Sequence, residues 1–279
     1  MPLTSQRITA PTGTEKEVIL TLGERSVTCY SCAFVRNPDT RFFVVHLQKT
    51  AGTTLRDRFR GSFDDAAIYP NASDGKDKRL SVISLSHLLD RWEVRGPEVR
   101  LVAGHFPLST VELLGGNFVT LSVLRPPIER TLSYLRHQKK INPVDRDKSL
   151  EEIYDDPFRY AGLVRNHMTR MFAIKSDEMG PGDGVLTDMV DSPARLDDAK
   201  AGVASLDALG LQPHFDEFWQ SLADRYALDA EQSVTSNTTE SEDAPAHLID
   251  RIATDNALDL GLYEFAEQNY RDRLSAGTQ

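Results

Sequence analysis

The first two thirds of the chain consist of short apolar runs, each followed by a stretch of mixed polarity. Short continuous apolar runs are typical of strands that are buried on both faces of a parallel sheet. Three such runs are RFFVVHL (41–47), VRLVAGHF (99–106) and NFVTLSVLR (117–125). Apolar residues at helical spacing follow the first run from about Thr53, and Pro127 suits the start of a helix after the third run. The pattern predicts strands that alternate with helices.

Two segments near the N-terminus, EVILTL (17–22) and VTCYSCAF (27–34), predict a β-hairpin because a short turn-forming stretch separates them. Further on, the polar spans 64–81 and 176–191 predict loops. From Ser192 to the end, the apolar spacing predicts amphipathic helices. We therefore expect an α/β fold: a P-loop-like central parallel β-sheet flanked by helices, with an N-terminal β-hairpin and a helical C-terminal part.

Charge is distributed unevenly along the chain. The net charge is −10, but residues 1–175 carry 26 Lys and Arg against 20 Asp and Glu, and residues 176–279 carry 6 against 22. The acidic total argues against a nucleic-acid partner, whereas the basic first part suits a small anionic ligand. The sequence contains no apolar run long enough for a transmembrane segment and begins without an apolar leader, so we expect a cytoplasmic protein.

The stretch HLQKTAGTTL joins the first buried strand to a helix and predicts an anion-binding loop. Gly52 lets backbone N–H groups approach a ligand, the hydroxyls of Thr53 and Thr54 add donors, and Lys49 adds a positive charge. In a nucleotide-kinase loop both glycines precede the lysine, whereas here Gly52 follows it. A lysine-bearing surface loop without a ligand is the plainer alternative.

A second stretch, LRPPIERTLSYLRH, begins with Arg125 at the end of a buried strand. Burying the charge of an arginine in that position costs free energy unless an anion pairs with it. Ser133 follows eight residues later, about two helical turns on, and could address the same anion only if the chain folds back beneath it.

Taken together, the two stretches resemble the carbohydrate sulfotransferases that use 3′-phosphoadenosine 5′-phosphosulfate (PAPS). The likeness is nearest to heparan sulfate 6-O-sulfotransferases and the related sulfotransferase family 2. In that family the first motif is usually HIPKTGGTT or HIQKTGGTT, and the second is LRDPVERxLSxxxH. Ala51 replaces a usual Gly and Pro126 a usual Asp. The likeness runs roughly from Arg41 to Tyr270 and leaves out the hairpin.

The resemblance implies a sulfuryl transfer from PAPS to a carbohydrate hydroxyl, with PAP as product and no metal required. The first loop would hold the 5′-phosphosulfate through Lys49, Thr50, Ala51, Gly52, Thr53 and Thr54. Arg125 and Ser133 would hold the 3′-phosphate, with Asn237 and Thr238 of a late loop, SNTTES, as weaker candidates. The acceptor, a glycan or glycolipid, would be contacted by His46, His137, Asn166 and Arg170. Arg170 could equally form a salt bridge, and His46 could orient the phosphate loop.

A sugar hydroxyl is a poor nucleophile, so a histidine general base is expected. His105 follows a predicted strand at the ligand edge of the sheet, and related enzymes place a catalytic histidine in the equivalent segment. His105 and Lys49 are therefore the expected catalytic residues. A loop histidine bonded to backbone is the alternative interpretation of His105.

On this basis we expect a single domain over 1–279. It would comprise an N-terminal hairpin extension (1–38), a cofactor-binding core (41–175) and the helical C-terminal part (192–279). Two other function classes remain open: a P-loop kinase or nucleotide hydrolase, and a non-catalytic protein that binds PAP on the same fold. The sequence predicts neither the sulfated position of the acceptor nor the oligomeric state.

Overall fold

The computed structural model describes residues 17–22, 25–30, 39–179, 186, 189–229 and 243–275. The first two ranges form β1 (Glu17–Leu22) and β2 (Arg25–Tyr30), which pair antiparallel with Glu17 opposite Tyr30. The predicted N-terminal hairpin is confirmed. Its second strand begins two residues earlier than predicted, and residues 31–34 of the predicted strand lie outside the described part of the chain.

A five-stranded parallel sheet forms the centre of the fold, in the order β4–β5–β3–β6–β7. Its strands are β3 (Phe42–Val44), β4 (Ile68–Tyr69), β5 (Leu101–Val102), β6 (Val119–Leu124) and β7 (Ala208–Leu211). Phe42 pairs with Leu101 on one side and with Val119 on the other, which places β3 in the middle of the sheet.

Helices account for most of the remaining described residues. They are α1 (Gly52–Arg60), α2 (Lys78–Ile83), α3 (Leu85–Arg95), α4 (Thr110–Leu114), α5 (Pro127–Ile141), α6 (Leu150–Tyr154), α7 (Pro157–Arg159), α8 (His167–Ala173), α9 (Pro193–Ala204), α10 (Phe215–Tyr226), α11 (Ala246–Asp255) and α12 (Ala257–Ser275). A π-helical turn, Tyr160–Val164, connects α7 to the segment before α8.

The sheet is buried on both faces because successive side chains of each strand point in opposite directions. Phe42 and Val44 enter a cluster with Phe59 of α1 and Trp219 of α10. Phe43 enters the opposite cluster, to which α3, α8, α9 and α12 contribute. The structure is thus three-layered, and the predicted fold class, a central parallel sheet flanked by helices, is confirmed.

Apart from the two clusters on the faces of the sheet, α5, α6 and α11 share a third hydrophobic cluster. Its members include Leu135 of α5, Ile153 of α6 and Ile252 of α11, all fully buried. This cluster fixes the direction in which α5 leaves the end of β6.

Two strands of the sheet were not predicted from the sequence. The span 64–81, predicted as a loop, contains β4 and the start of α2. The C-terminal part, predicted as helical, also supplies β7, the edge strand beside β6. Within the described residues, no helix has the length and apolar character that a membrane span requires.

Candidate functional site

The strand order indicates a ligand-binding position at the carboxyl ends of the neighbouring strands β3 and β6. From β3 the chain continues to β4 on one side of the sheet, and from β6 it continues to β7 on the other. Ligands of open α/β sheets bind at such a switch point, beyond the carboxyl ends of the two strands. The loop that carries Lys49 follows β3, and Arg125 follows β6 directly. Both predicted anion-binding stretches therefore lie at the switch point.

The loop after β3 is tightly turned. Lys49 and Ala51 both adopt left-handed backbone conformations, with φ of 68° and 71°. The hydroxyl of Thr50 is buried and donates to the Leu47 carbonyl at 3.1 Å. The Thr50 side chain therefore closes the turn, which leaves the side chain of Lys49 and the backbone amides as the groups available to a ligand.

Helix α1 begins directly behind this loop. Its N-cap residue, Ala51, provides no side-chain hydrogen bond to the first turn, and the first turn contains no acidic residue. Thr53 is exposed and Thr54 partly exposed. Free N–H groups and the positive end of the helix dipole favour an anion at this position.

Gly52, the first residue of α1, packs against the His46 ring. A Cβ atom at position 52 would overlap the His46 side chain and would come within 2.9 Å of its Cγ. His46 is buried and cannot retreat into solvent. The position thus demands glycine for close packing, and the contact fixes the loop relative to the strand end.

Arg125 reaches back to the same loop. Its Nη1 donates to the Lys49 carbonyl at 3.4 Å, and its Nε lies 3.5 Å from Glu129 Oε2. The two cations predicted to grip one nucleotide are thus neighbours on the same edge of the sheet.

One face of α5 runs from a buried serine to an exposed lysine. Ser133, His137 and Lys140 are spaced four and three residues apart, which places them on one face of the helix. Burial and the positive charges of Lys49 and Lys140 lower the pKa of His137. Burial, followed by Arg125 and Lys140, lowers the pKa of Lys49. The cations of this site destabilise one another, and a bound anion would relieve that repulsion.

His46 and His105 form a pair beside the loop. Their ring centroids lie 4.3 Å apart, with the planes tilted by 43°, and His105 Nδ1 lies 2.8 Å from the His46 carbonyl. A carbonyl only accepts, so Nδ1 carries the proton and Nε2 keeps a lone pair. Burial lowers the pKa of His105, as does the positive charge of Arg56. Burial, the charge of His105 and that of Arg56 lower the pKa of His46 further.

Two cationic residues near the anion-binding loop were not predicted from the sequence. Arg56 lies four residues after Gly52 on α1, and Lys140 lies seven after Ser133 on α5. Each occupies the helical position one or two turns beyond a predicted ligand residue, and this spacing is the sequence signal that would have found them.

Asn166 and Arg170 lie in a buried polar network. Asn166 precedes α8 in a left-handed conformation, and its Oδ1 accepts from the Leu258 and Asp259 amides at the start of α12. Arg170 is buried, and its Nε donates to Asp191 Oδ1 at 2.9 Å. The chain itself provides partners for both side chains; their role toward substrate stays a prediction.

The late loop with Asn237 and Thr238 lies outside the described residues. Among the residues that are described, no three His, Cys, Asp or Glu side chains are grouped so that they could hold a metal ion.

Comparisons with known proteins add one finding. No family model matches the chain, and no curated protein matches it. Among solved structures, the crystal structure of a sulfotransferase from Alicyclobacillus acidocaldarius is similar over 80% of this chain and 94% of that chain, with 14% identity and a TM-score of 0.43. A likeness this distant carries no inference about function.

Proposed function

We propose that the protein is a sulfotransferase that moves the sulfuryl group of PAPS to a hydroxyl of a carbohydrate acceptor. One observation carries the proposal: at the switch point of the sheet, Arg125 Nη1 lies 3.4 Å from the Lys49 carbonyl, and His105 packs against His46, which precedes the same loop. The order and the content of the two sequence motifs support the same function.

The residues at the site fit a nucleotide with phosphate groups at two positions. Lys49, Gly52, Thr53 and Thr54 would hold the 5′-phosphosulfate, with the backbone of Thr50 and Ala51 completing the loop. The uncapped first turn of α1 supports this assignment because its amides are free to donate.

Arg125 and Ser133 would hold the 3′-phosphate, and Asn237 and Thr238 remain weaker candidates for the same group. Arg125 begins the turn into α5, and Ser133 lies on that helix. Once bound, PAPS supplies the activated sulfuryl group; the chain supplies charge, position and a base.

Lys49 would stabilise the negative charge that develops on the leaving phosphate oxygen. Preorganised charge of this kind is often the largest contribution to catalysis. His105 would take the proton of the acceptor hydroxyl at Nε2, the nitrogen that its bond to the His46 carbonyl leaves unprotonated. A lowered pKa favours the neutral form of this imidazole, the form that can accept a proton, at neutral pH.

A kinase would need ATP, Mg²⁺ and the other order of glycine and lysine, so transfer assays separate the two classes. The test incubates labelled PAPS and, in parallel, labelled ATP with a panel of glycans and glycolipids. We expect transfer from PAPS only. Lys49→Ala should abolish turnover, and His105→Ala should reduce it strongly while PAP affinity stays nearly unchanged.

His214→Ala is the matched control, because His214 is half exposed and its Nδ1 lies 3.6 Å from Glu217 Oε2, in α10. It should leave turnover intact. Retained PAP binding without transfer to any acceptor, unchanged by His105→Ala, would instead support a non-catalytic binding protein. Transfer from ATP would contradict the proposal.

A further inference from the structure

Three exposed apolar side chains lie at the end of α5, in the segment after it and on α7. Ile141 is 56% exposed, Val144 69% and Phe158 64%. We refer to these three residues as the exit patch. Large exposed apolar side chains are common singly, but a group of them beside a functional site indicates an interaction surface.

Local contacts hold the exit patch together. Ile141 ends α5, and the next residue, Asn142, accepts from the Val144 amide through its side chain at 3.4 Å. Asp145, adjacent to Val144, binds the guanidinium of Arg159, adjacent to Phe158, at 2.7 Å. Its carboxylate is fully buried, so this ion pair ties the segment after α5 to α7.

The end of α5 and the segment after it, which hold two of the three residues of the exit patch, are positively charged, although the chain as a whole is acidic. Residues 136–148 contain five Lys and Arg against two Asp, and one of these, Asp145, is buried and paired. Lys140 and Arg146 are exposed. The patch therefore combines apolar side chains with cations that point to an anionic partner.

Acidic residues further along the segment are already engaged. Glu151 lies 2.5 Å from His247, and Asp155 lies 2.7 Å from Arg251. Glu152 is bound to the backbone and hydroxyl of Ser149, the N-cap of α6. The carboxylate of Asp156, two residues before Phe158, accepts from the Arg159 amide at 2.9 Å, so all four acidic side chains of residues 151–156 have partners within the chain.

We propose that the exit patch and its neighbouring cations dock the protein on an anionic lipid surface. Apolar side chains inserted between headgroups, surrounded by cations that attract anionic lipids, are the usual means of peripheral binding. Helix α5 carries Ser133 and His137 of the candidate site and ends at Ile141. Docking at the end of this helix would therefore bring the candidate site close to the lipid surface. The docking itself does not depend on the proposed function.

Vesicle sedimentation tests this proposal with the whole protein. One set of vesicles is phosphatidylcholine alone, and the other is phosphatidylcholine mixed with phosphatidylglycerol. We expect binding to the mixed vesicles only, and a steep loss of binding as salt is added. Val144→Asp and Arg146→Glu should each weaken that binding about tenfold.

Val94→Asp is the matched control, because Val94 is as exposed as Val144, at 69%, and lies on α3, away from the patch. It should bind like the parent. Both valines are at the surface, so both variants should fold, which circular dichroism checks. Absence of vesicle binding, or an equal loss in the two variants, would overturn the proposal. So would a parent dimer that Val144→Asp converts to a monomer, because the patch would then bind a second copy of the chain.

Discussion

Gly52→Ala tests the packing that shapes the anion-binding loop. On helix propensity alone, alanine is better than glycine by up to about 1 kcal/mol, so a helix start without constraints would gain stability. Here the new methyl group would overlap the His46 ring, which is buried between Gly52 and His105. The substitution therefore has two opposite effects on the free energy of unfolding: the helix propensity of alanine raises it, and the overlap with the His46 ring lowers it.

The steric effect should dominate. Forcing an extra methyl group into a packed position costs about 1 to 3 kcal/mol. We expect Gly52→Ala to lower the free energy of unfolding by about 1 to 2 kcal/mol and to weaken PAP binding, because the loop and the His46 ring must both shift.

Urea unfolding and calorimetric titration with PAP measure the two quantities. His46→Ala removes the ring, so Gly52→Ala should cost much less stability in that background; the difference is the coupling free energy between the two residues. Gly261→Ala in α12 is the matched control, since its added Cβ would meet only the end of the Leu196 side chain, at 3.1 Å. A Gly52→Ala protein as stable as the parent, or a loss unaffected by His46→Ala, would refute the argument.

Two further predictions follow from backbone conformation and from charge. Ala51→Gly and Ala227→Gly, both at left-handed positions, should each raise the free energy of unfolding by about 1 kcal/mol in urea titrations, because alanine is strained there; no gain at either would contradict this. The pH profile of kcat/KM should have an acid limb below pH 6.5, because His105 must be neutral and burial lowers its pKa, and an alkaline limb below 10.5, where Lys49 loses its proton. An acid limb that survives unchanged in His105→Gln would exclude His105 as the base.

The sequence predicted the centre of the sheet because each central strand is a continuous apolar run. It did not predict β4 or β7. β4 has only two residues within a polar span, and β7 contains glycine and alanine, which are poor strand formers. Each becomes a strand through pairing with a neighbour that is distant in sequence, which local patterns do not encode.

The same distinction applies to the site. Lys49 and Arg125 could be predicted because each follows a recognisable strand. Helical spacing marks Arg56 and Lys140 as candidates, but their effect on the site depends on the direction of α1 and α5, which packing against the sheet and the third cluster determines. The salt bridge given as an alternative for Arg170 does form, but its burial and its partner could not be predicted, since Asp191 lies 21 residues away along the chain.

Titration with two nucleotides tests the central claim most directly. PAP and adenosine 5′-phosphate differ only in the 3′-phosphate, which we assign to Arg125. The parent should bind PAP more tightly, Arg125→Ala should lose that preference while keeping its affinity for adenosine 5′-phosphate, and Lys49→Ala should weaken both. Equal affinity of the parent for the two nucleotides, or an equal loss for both in Arg125→Ala, would contradict the account.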